Sequence, residues 1–557
     1  MRLFLTPFFI FIFFTSFAQQ KSTTVRYASI NNGKLSEEAR VKTIYQNGIV
    51  YLSEQDANLQ SYIDYNKREV ASILKTGSTR YAHIQPFEKL PQPRRDDKSE
   101  TILGFNCKYA VFSAFSNTIE VWYTEEAGVP GSPNSSYIPS NKALVLKLII
   151  NGSRALQAVE IAANIQDPGL KYPIAEAKRV SEAELEGLKI KARYTVLPIF
   201  KDERINFDPS LKPSQDAALN LNQTYRFSKG SIILKKISLE NVLKAGDQIF
   251  VDMRCWSDGD AYDRTGSVFW LPSGRSDSSM LAAFQHGLDR LPVYTDRAGK
   301  EYQGIRSENG YQTPVELMRF FTSFGVRHFN NLRPIAGYDW KDAAIYKQDV
   351  TEVFPSTSKE IYIGVFIGNY DKGGHKVNLD LNIYPSFQKK EKMTPLIVPL
   401  FNTINIMEMS GQNYGRLFKI DTLEVTFEVP KNAKNLKLLY TSTGHGGWGT
   451  GDEFTPTLNQ IRVDGHLHFS MMPWRTDCAS FRNFNPASGN FGNGMSSSDL
   501  SRSNWCPATP TPAYVIPLDG LEPGTHRLQL NIKQGDDQGT SFNHWSVSGT
   551  LVGDLEI

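Results

Sequence analysis

Regular alternation of apolar and polar residues is the feature that most constrains how this chain can fold. The pattern runs from Val377 to Ile383, and it recurs from Leu423 to Val429 and from Leu528 to Ile532. A period of two directs one face of a strand into a core and the other face toward solvent. Turn-rich spacers with Gly and Pro separate these stretches, which favours antiparallel sandwiches or jelly rolls. The sequence therefore predicts an all-β protein.

A chain of 557 residues is too long for one hydrophobic core. Two breaks divide it: a charged, proline-containing stretch within 176–216, where Ser181 and Glu184 predict a short capped helix, and the lysine-rich segment 385–395. We expect four parts: a signal peptide at 1–18, an N-terminal β-rich domain at 19–195, and two further β-domains at 215–387 and 395–557.

The N-terminus has the pattern of an export signal. Arg2 is followed by the apolar run 8–14 and by a small-x-small site that ends at Ala18. An anchoring helix is the alternative, but the run is short and lacks a charged flank. We expect a secreted or periplasmic protein that does not bind membranes. The formal charge of +3 gives no reason to expect a nucleic-acid partner.

Four cysteines would enter an oxidising compartment. Cys478 and Cys506 enclose a stretch rich in Gly, Ser and Asn that has little apolar content to order itself. We expect these two to form a disulfide. The sequence leaves open whether Cys107 and Cys255 pair.

Three aspartates crowd a predicted turn between two strands. The strand ending at Trp256 runs into residues 257–264 (sequence SDGDAYDR), and Asp263 is the last of the three. The residues suit a turn, since Asp and Gly favour turn conformations, or a partial calcium loop, although no distal Glu closes it. A functional carboxylate is the third interpretation.

A glycine-rich loop occupies residues 443–454 (sequence TGHGGWGTGDEF). Its glycines let the backbone approach a ligand closely, and the indole of Trp448 offers an apolar face for a sugar ring. The alternative is a plain surface loop.

Two histidines and two methionines suggest copper, which accepts imidazole and thioether ligands. His466 and His468 fall on one face of a predicted strand, with Met471 and Met472 behind them. A two-jelly-roll copper monooxygenase needs a second ligand cluster, but the other histidines of the preceding β-domain stand apart in the sequence, at His286, His328 and His375. We therefore expect no metal site and no cofactor.

From about residue 225 onward, three stretches together resemble the peptide:N-glycosidase F family in order and spacing. They are the strand ending at Cys255 with Tyr262-Asp263-Arg264; Gly447-Trp448-Gly449 with Glu453-Phe454 and the strand 461–464; and Cys478-Ala479, Asn485-Pro486 and Arg502-x-x-Trp505-Cys506-Pro507. The resemblance implies two eight-stranded jelly rolls behind an additional N-terminal β-rich domain, as in the longer type II branch. It also implies a monomer that removes glycans from N-glycosylated peptides and glycoproteins by hydrolysing the amide of the linked Asn.

The resemblance further assigns roles. Asp263 would orient the attacking water as the leading catalytic carboxylate, Glu453 would hold the second acidic position, and Arg502 would hydrogen-bond the peptide or the carbonyl oxygen. A non-catalytic carbohydrate-binding jelly roll is the alternative function.

Four further residues would contact the substrate. Trp448 and Trp505 would line the cleft, although Trp505 equally suits support of the disulfide, and Asn369 lies near the first sugars. Arg264 can reach the ligand only if the turn bends the chain, because adjacent strand residues point to opposite faces.

The chain departs from the family pattern at two places. Cys255 has no nearby partner for the family's local disulfide. Around Asn369 the family carries an acidic residue and a tryptophan that this chain lacks. Either Asp258, Asp260 or Asp452 replaces that acid, or the first sugars are bound differently, for example with another core fucose.

Overall fold

The computed structural model describes residues 21–31, 33–53, 58–215, 219–272, 278–386, 393–447, 451–518 and 520–556. The signal peptide predicted at 1–18 lies outside these ranges. The chain divides into two compact units after Arg193. Within the described ranges, no helix is long and apolar enough to cross a membrane.

The N-terminal unit is built on one 12-stranded sheet. Buried side chains alternate along its strands and form cores against them, as at Ile119, Val121 and Tyr123. Its strands are β1 (Ser22–Asn31), β2 (Lys34–Gln46), β3 (Ile49–Leu52), β4 (Leu59–Asp64), β5 (Glu69–Thr76), β6 (Thr79–Pro86), β7 (Arg94–Ile102), β8 (Phe105–Ala114), β9 (Asn117–Thr124), β10 (Leu144–Ile150), β11 (Arg154–Asn164) and β12 (Lys178–Arg179).

One α-helix ends this unit, as the sequence predicts. Helix α1 (Glu182–Ala192) begins at a capping box, in which the Ser181 side chain accepts a hydrogen bond from the Glu184 backbone N–H and the Glu184 carboxylate accepts one from the Ser181 backbone N–H. The reciprocal bonds satisfy two backbone donors that a helix start otherwise leaves open.

The second unit contains the remaining strands and one α-helix of the described chain. They are β13 (Thr195–Ile205), β14 (Thr224–Phe227), β15 (Ile232–Ser238), β16 (Gln248–Ser257), β17 (Thr265–Leu271), α2 (Met280–His286), β18 (Val293–Thr295), β19 (Glu301–Gln303), β20 (Val315–Phe321), β21 (Ala344–Asp349), β22 (Glu360–Ile367), β23 (His375–Tyr384), β24 (Met393–Asn402), β25 (Leu423–Val429), β26 (Ala433–His445), β27 (Asn459–Val463), β28 (His466–Met471), β29 (Pro510–Thr511), β30 (Tyr514–Pro517), β31 (Gly524–Ile532) and β32 (His544–Glu556).

Apart from β18 and β19, which pair with each other in a separate sheet, these strands form two jelly rolls, which confirms the predicted fold class. The first packs the sheet β13-β23-β16-β21 against β14-β15-β22-β17-β20-β29, and the second packs β24-β32-β26-β30 against β25-β31-β27-β28. The alternating stretches of the sequence lie in β23, β25 and β31, and their apolar residues fill the two cores. The alternation thus buries one side of each strand.

The first jelly roll begins earlier than the predicted residue 215. Strand β13 pairs antiparallel with β23, so residues 195–205 belong to its sheet and not to a linker. The register shifts between Pro198 and Phe200 and again between Phe200 and Glu203. These irregularities interrupt the period of two, which hides the strand from a pattern analysis.

A buried ion pair lies between the two jelly rolls. Arg319 on β20 is paired with Glu316 at 2.7 Å. Its guanidinium also donates to the Thr443 hydroxyl and to the Ser546 carbonyl, both at 2.9 Å, on strands of the second jelly roll. Strand β29 comes from the C-terminal part of the chain, and its two residues pair with β20 at the edge of a sheet of the first jelly roll. These contacts fix one jelly roll against the other.

Candidate active site

Two of the three aspartates in the turn after β16 are engaged in contacts within the protein. The buried Asp260 carboxylate accepts hydrogen bonds from Arg264 Nε at 2.8 Å and from the Tyr262 backbone N–H at 3.0 Å. Asp258 pairs with Arg204 at 2.7 Å. The turn interpretation of the sequence therefore describes Asp258 and Asp260.

Asp263 is the aspartate left facing a cavity. The backbone on either side of it is fixed by Thr322, whose hydroxyl accepts from the Arg264 N–H at 2.7 Å and donates to the Tyr262 carbonyl at 3.1 Å. These bonds fix the backbone from which the Asp263 side chain projects to the cavity.

The glycine-rich loop brings a second carboxylate to the same cavity. Gly447 has a φ of +71°, and its N–H donates to the Ser541 hydroxyl at 2.8 Å. Asp452 is buried and accepts from the Trp545 indole at 2.8 Å, which anchors the loop to β32. The neighbouring Glu453 faces the cavity. Trp448, predicted to contact substrate, lies outside the described residues.

Arg502 joins the two carboxylates across the two jelly rolls. One guanidinium nitrogen donates to Glu453, and the other lies 3.6 Å from the nearer Asp263 oxygen. The second nitrogen also donates to the Ser497 carbonyl at 2.8 Å. The Arg502 side chain is only 2% exposed. Arg502 thus contacts both carboxylates, and its predicted hydrogen bond to the peptide or the carbonyl oxygen stays a prediction.

The cavity that these three residues share has a volume of about 780 Å³. Burial raises the pKa of Asp263 to about 6, although the Arg502 guanidinium acts to lower it. Burial likewise raises the pKa of Glu453 to about 7, again opposed by Arg502. Two carboxyls with perturbed pKa values beside one arginine in a cleft are typical of catalytic sites.

Trp505 lies beneath Arg502 and does not line the cavity. Its indole is 3% exposed and donates to the Gly444 carbonyl at 3.1 Å. The ring stacks on Phe321 at a centroid distance of 4.2 Å, and the Arg502 guanidinium lies 4.5 Å from its centroid. Packing and the cation–π contact give Trp505 a supporting role beneath Arg502, which agrees with the structural alternative that the sequence left open, and substrate contact stays a prediction.

The predicted disulfide between Cys478 and Cys506 is present and closes the loop that carries Arg502. Its sequence separation is 28 residues. Cys107 and Cys255 are free and buried.

Replacing both disulfide cysteines by serine should destabilise the protein by about 3.5 kcal/mol, because the unfolded chain regains the entropy of a long open loop. Urea unfolding followed by tryptophan fluorescence measures the change. A midpoint equal to that of the parent would show that packing alone orders this loop.

Arg264 and Asn369 lie outside the cavity lining. Arg264 pairs with Asp260 at 2.8 Å and with Asp371 at 2.6 Å. Asn369 is fully buried, and its amide donates to the Ile205 carbonyl at 3.2 Å. Its amide oxygen also accepts from the Asp371 N–H at 3.2 Å, so Asn369 holds backbone in place here, and its contact with substrate stays a prediction.

A carboxylate that the sequence pattern missed lies beside this region. Glu408 Oε2 accepts from the hydroxyl groups of Tyr370 at 3.1 Å and Tyr414 at 2.8 Å. Burial raises the pKa of Glu408 to about 7. Glu408 is thus a further carboxylate near Tyr370, and Asp260 and Asp371 come close to the same ring through their ion pairs with Arg264, whose guanidinium lies 5.3 Å from the Tyr370 ring centroid. Glu408 follows no strand pattern, and only the packing of the second jelly roll against the first brings it there.

The histidines considered as copper ligands remain on β28. His466 is exposed, and His468 Nε2 lies 2.7 Å from the Pro517 carbonyl oxygen. Across the ranges that the structure describes, no group of three or more His, Cys, Asp and Glu residues could hold a metal ion.

Comparisons with known proteins give consistent matches over both units. Profiles described as Peptide-N-glycosidase F, N terminal, and Peptide-N-glycosidase F, C terminal, match residues 196–383 and 413–552. A profile described as N-glycanase peptide, N-terminal domain, matches residues 25–174. A search of curated protein sequences found no match.

Two solved structures of PNGF-II are similar over nearly the whole chain. The structure in space group P21 has 38% sequence identity and a TM-score of 0.84, and the match covers 96% of this chain and 99% of that one. The structure in space group C2 has the same identity and coverage, with a TM-score of 0.77. The chain therefore belongs to the peptide-N-glycosidase F family.

Proposed function

We propose that this protein is an exported glycoamidase that hydrolyses the amide bond between asparagine and the first N-acetylglucosamine of N-linked glycans. The observation that carries the proposal is the convergence of Asp263, Glu453 and Arg502 on the floor of one cavity, from two jelly rolls. Family membership supports the same reaction. The released glycan would leave aspartate in the peptide.

Asp263 supplies the base. Its pKa of about 6 leaves most of the carboxyl ionised at neutral pH. The carboxylate orients a water molecule and accepts its proton as the water oxygen bonds to the amide carbon. Such general-base assistance contributes roughly 10²- to 10⁴-fold to a rate.

Glu453 and Arg502 complete the site. The C–N bond breaks as the leaving nitrogen gains a proton, and the Glu453 carboxyl, with a pKa of about 7, can supply it. Arg502 contacts both carboxylates, so it keeps Asp263 ionised against the cost of burial.

A polar group of side chains beside the cavity suits the sugar. Tyr262 lines the cavity, and the Arg264 guanidinium lies 4.9 Å from its ring centroid and 5.3 Å from that of Tyr370. Asp371 and Glu408 add acceptors for hydroxyl groups. Aromatic faces with charged neighbours are suited to sugar rings, which carry both apolar faces and hydroxyl groups. We call these five residues (Tyr262, Arg264, Tyr370, Asp371 and Glu408) the polar arm. We propose that the polar arm binds the first N-acetylglucosamine.

The rest of the chain fits an extracellular role. The proposal includes removal of the signal peptide at 1–18, release from the cell or into the periplasm, and action as a monomer on glycopeptides and glycoproteins. The N-terminal domain is assigned an accessory role.

Activity should fall as the pH drops below about 6, because the reaction needs the ionised form of Asp263. We expect kcat/KM to lose about tenfold per pH unit on this side, as for a single essential base. The profile is measured with a fluorescent glycopeptide, and Glu453→Gln should keep the acid limb while lowering the rate. A profile without an acid limb would remove Asp263 from the role of base.

The function is tested with a purified glycopeptide that carries one N-linked glycan, in buffer containing a chelator. Mass spectrometry should detect an intact glycan that ends in two N-acetylglucosamine residues and a peptide with Asp in place of Asn. A peptide that retains one N-acetylglucosamine would instead indicate a glycosidase. Unchanged glycopeptide that remains bound to the protein would indicate a carbohydrate-binding protein.

A further inference from the structure

Part of the cavity lining is apolar, and the proposed chemistry makes no use of this part. Leu332 and Phe329 contribute to it from the segment after β20, and Phe491 contributes from the segment after the disulfide cysteine Cys478. Leu332 is 69% exposed and Phe491 is 37% exposed. Large apolar side chains left in solvent beside a cleft are typical of binding surfaces.

Both segments are held in place before any ligand binds. The Phe324 N–H donates to the Asn485 side chain and the Ala487 N–H donates to the Phe324 carbonyl, each at 2.9 Å, so the two segments are bound to each other. The Phe491 N–H donates to the Met495 carbonyl at 2.9 Å and closes a tight turn. A ligand that buries these side chains therefore orders little backbone, which favours affinity.

The segment after β20 is also fixed at its exposed end. The Trp340 indole donates to the Arg333 carbonyl at 2.9 Å. The Arg482 guanidinium lies 5.0 Å from the Trp340 ring centroid and links this segment to the disulfide-closed loop. The loop that carries Leu332 is thus held in place by these two contacts.

The apolar part of the lining borders the same cavity as Asp263 and as Tyr262 of the polar arm, and this shared cavity indicates what each part binds. The scissile amide joins a sugar, which needs hydrogen-bonding partners for its hydroxyl groups, to a polypeptide, which can present apolar side chains. Leu332 has no hydrogen-bonding side-chain atom. Its burial against an apolar group is therefore favourable, whereas burial against a hydroxyl group would leave that hydroxyl without a partner.

We infer that Phe329, Leu332 and Phe491 form a polypeptide subsite, which binds an apolar side chain next to the glycosylated asparagine. The inference rests on the proposed function and adds to it a preference within that substrate class, for glycopeptides with an apolar residue beside the asparagine. Such residues are usually buried in folded glycoproteins.

The experiment compares two glycopeptides that carry the same glycan, with leucine on both sides of the asparagine in one and serine in the other. Wild-type protein should cleave the leucine peptide with a KM about tenfold lower and a similar kcat, because apolar burial adds binding energy away from the reacting atoms. The double variant Leu332→Ser with Phe491→Ser should lose this preference and should cleave the serine peptide as before. Val515→Ser, at an exposed position outside the cavity lining, is the matched control and should keep the preference.

Inhibition by free chitobiose separates sugar contacts from peptide contacts. The inhibition constant should be the same for wild type and the double variant. Equal KM values for both peptides in wild type, or a weaker chitobiose inhibition in the variant, would overturn the inference while cleavage itself supports the amidase. Failure to cleave either peptide would overturn the proposed function.

Discussion

Asp263→Asn should lower kcat by about a thousandfold, because the amide cannot accept a proton from the attacking water. The change removes one ionisable oxygen and keeps the shape of the side chain. Arg502 still pairs with Glu453, so the fold around the cavity is retained. Steady-state cleavage of a glycopeptide gives kcat, and circular dichroism confirms that the variant is folded.

A neighbouring aspartate provides the control for this prediction. Asp258 is in the same turn but forms an ion pair with Arg204, and both side chains are partly exposed. Exposed pairs of this kind contribute at most about 1 kcal/mol, so Asp258→Asn should leave kcat within about twofold. If the two variants had equal activity, Asp263 would not be the leading carboxylate.

Arg502→Met should reduce both activity and stability. Without the guanidinium, Glu453 and Asp263 remain in a buried site with no cation between them, and one carboxyl takes up a proton. The loss of one member of a buried charge cluster costs about 3 to 5 kcal/mol. We expect kcat/KM to fall by about a thousandfold, since Asp263 is then mostly protonated at neutral pH.

A structural role alone would not change the pH dependence, so the pH profile tests the assignment. The acid limb should move to higher pH in Arg502→Met. Arg502→Lys should retain part of the activity, because the ammonium group supplies a positive charge without the bidentate geometry of the guanidinium. Arg462→Met, at an exposed position on β27, is the control. An acid limb unchanged in Arg502→Met would show that Arg502 does not set the ionisation of Asp263.

The sequence predicted those parts of the fold that depend on local periodicity. Strands β23, β25 and β31 follow the alternation, and α1 follows its capping box. Strand β13 was not predicted, because its bulges interrupt the two-residue alternation of apolar and polar residues.

The sequence predicted the site residues whose side chains face the cavity. It could not predict which other polar side chains the packing would bury. Asp263 and Glu453 do face the cavity, whereas Asn369, whose amide is also polar, is fully buried. Trp505 was assigned as a possible substrate contact because exposure cannot be read from a tryptophan in a loop. Glu408 could not be found, since only tertiary contacts bring it to Tyr370.

The central claim is that Asp263 directs water to the amide carbon of the glycosylated asparagine, and hydrolysis in water enriched in heavy oxygen tests it most directly. The account predicts that wild-type protein places the heavy oxygen in the side-chain carboxyl of the new aspartate, and that Asp263→Asn forms this labelled peptide about a thousandfold more slowly. A released peptide that still contains unlabelled asparagine, or labelling by the variant at the wild-type rate, would contradict it.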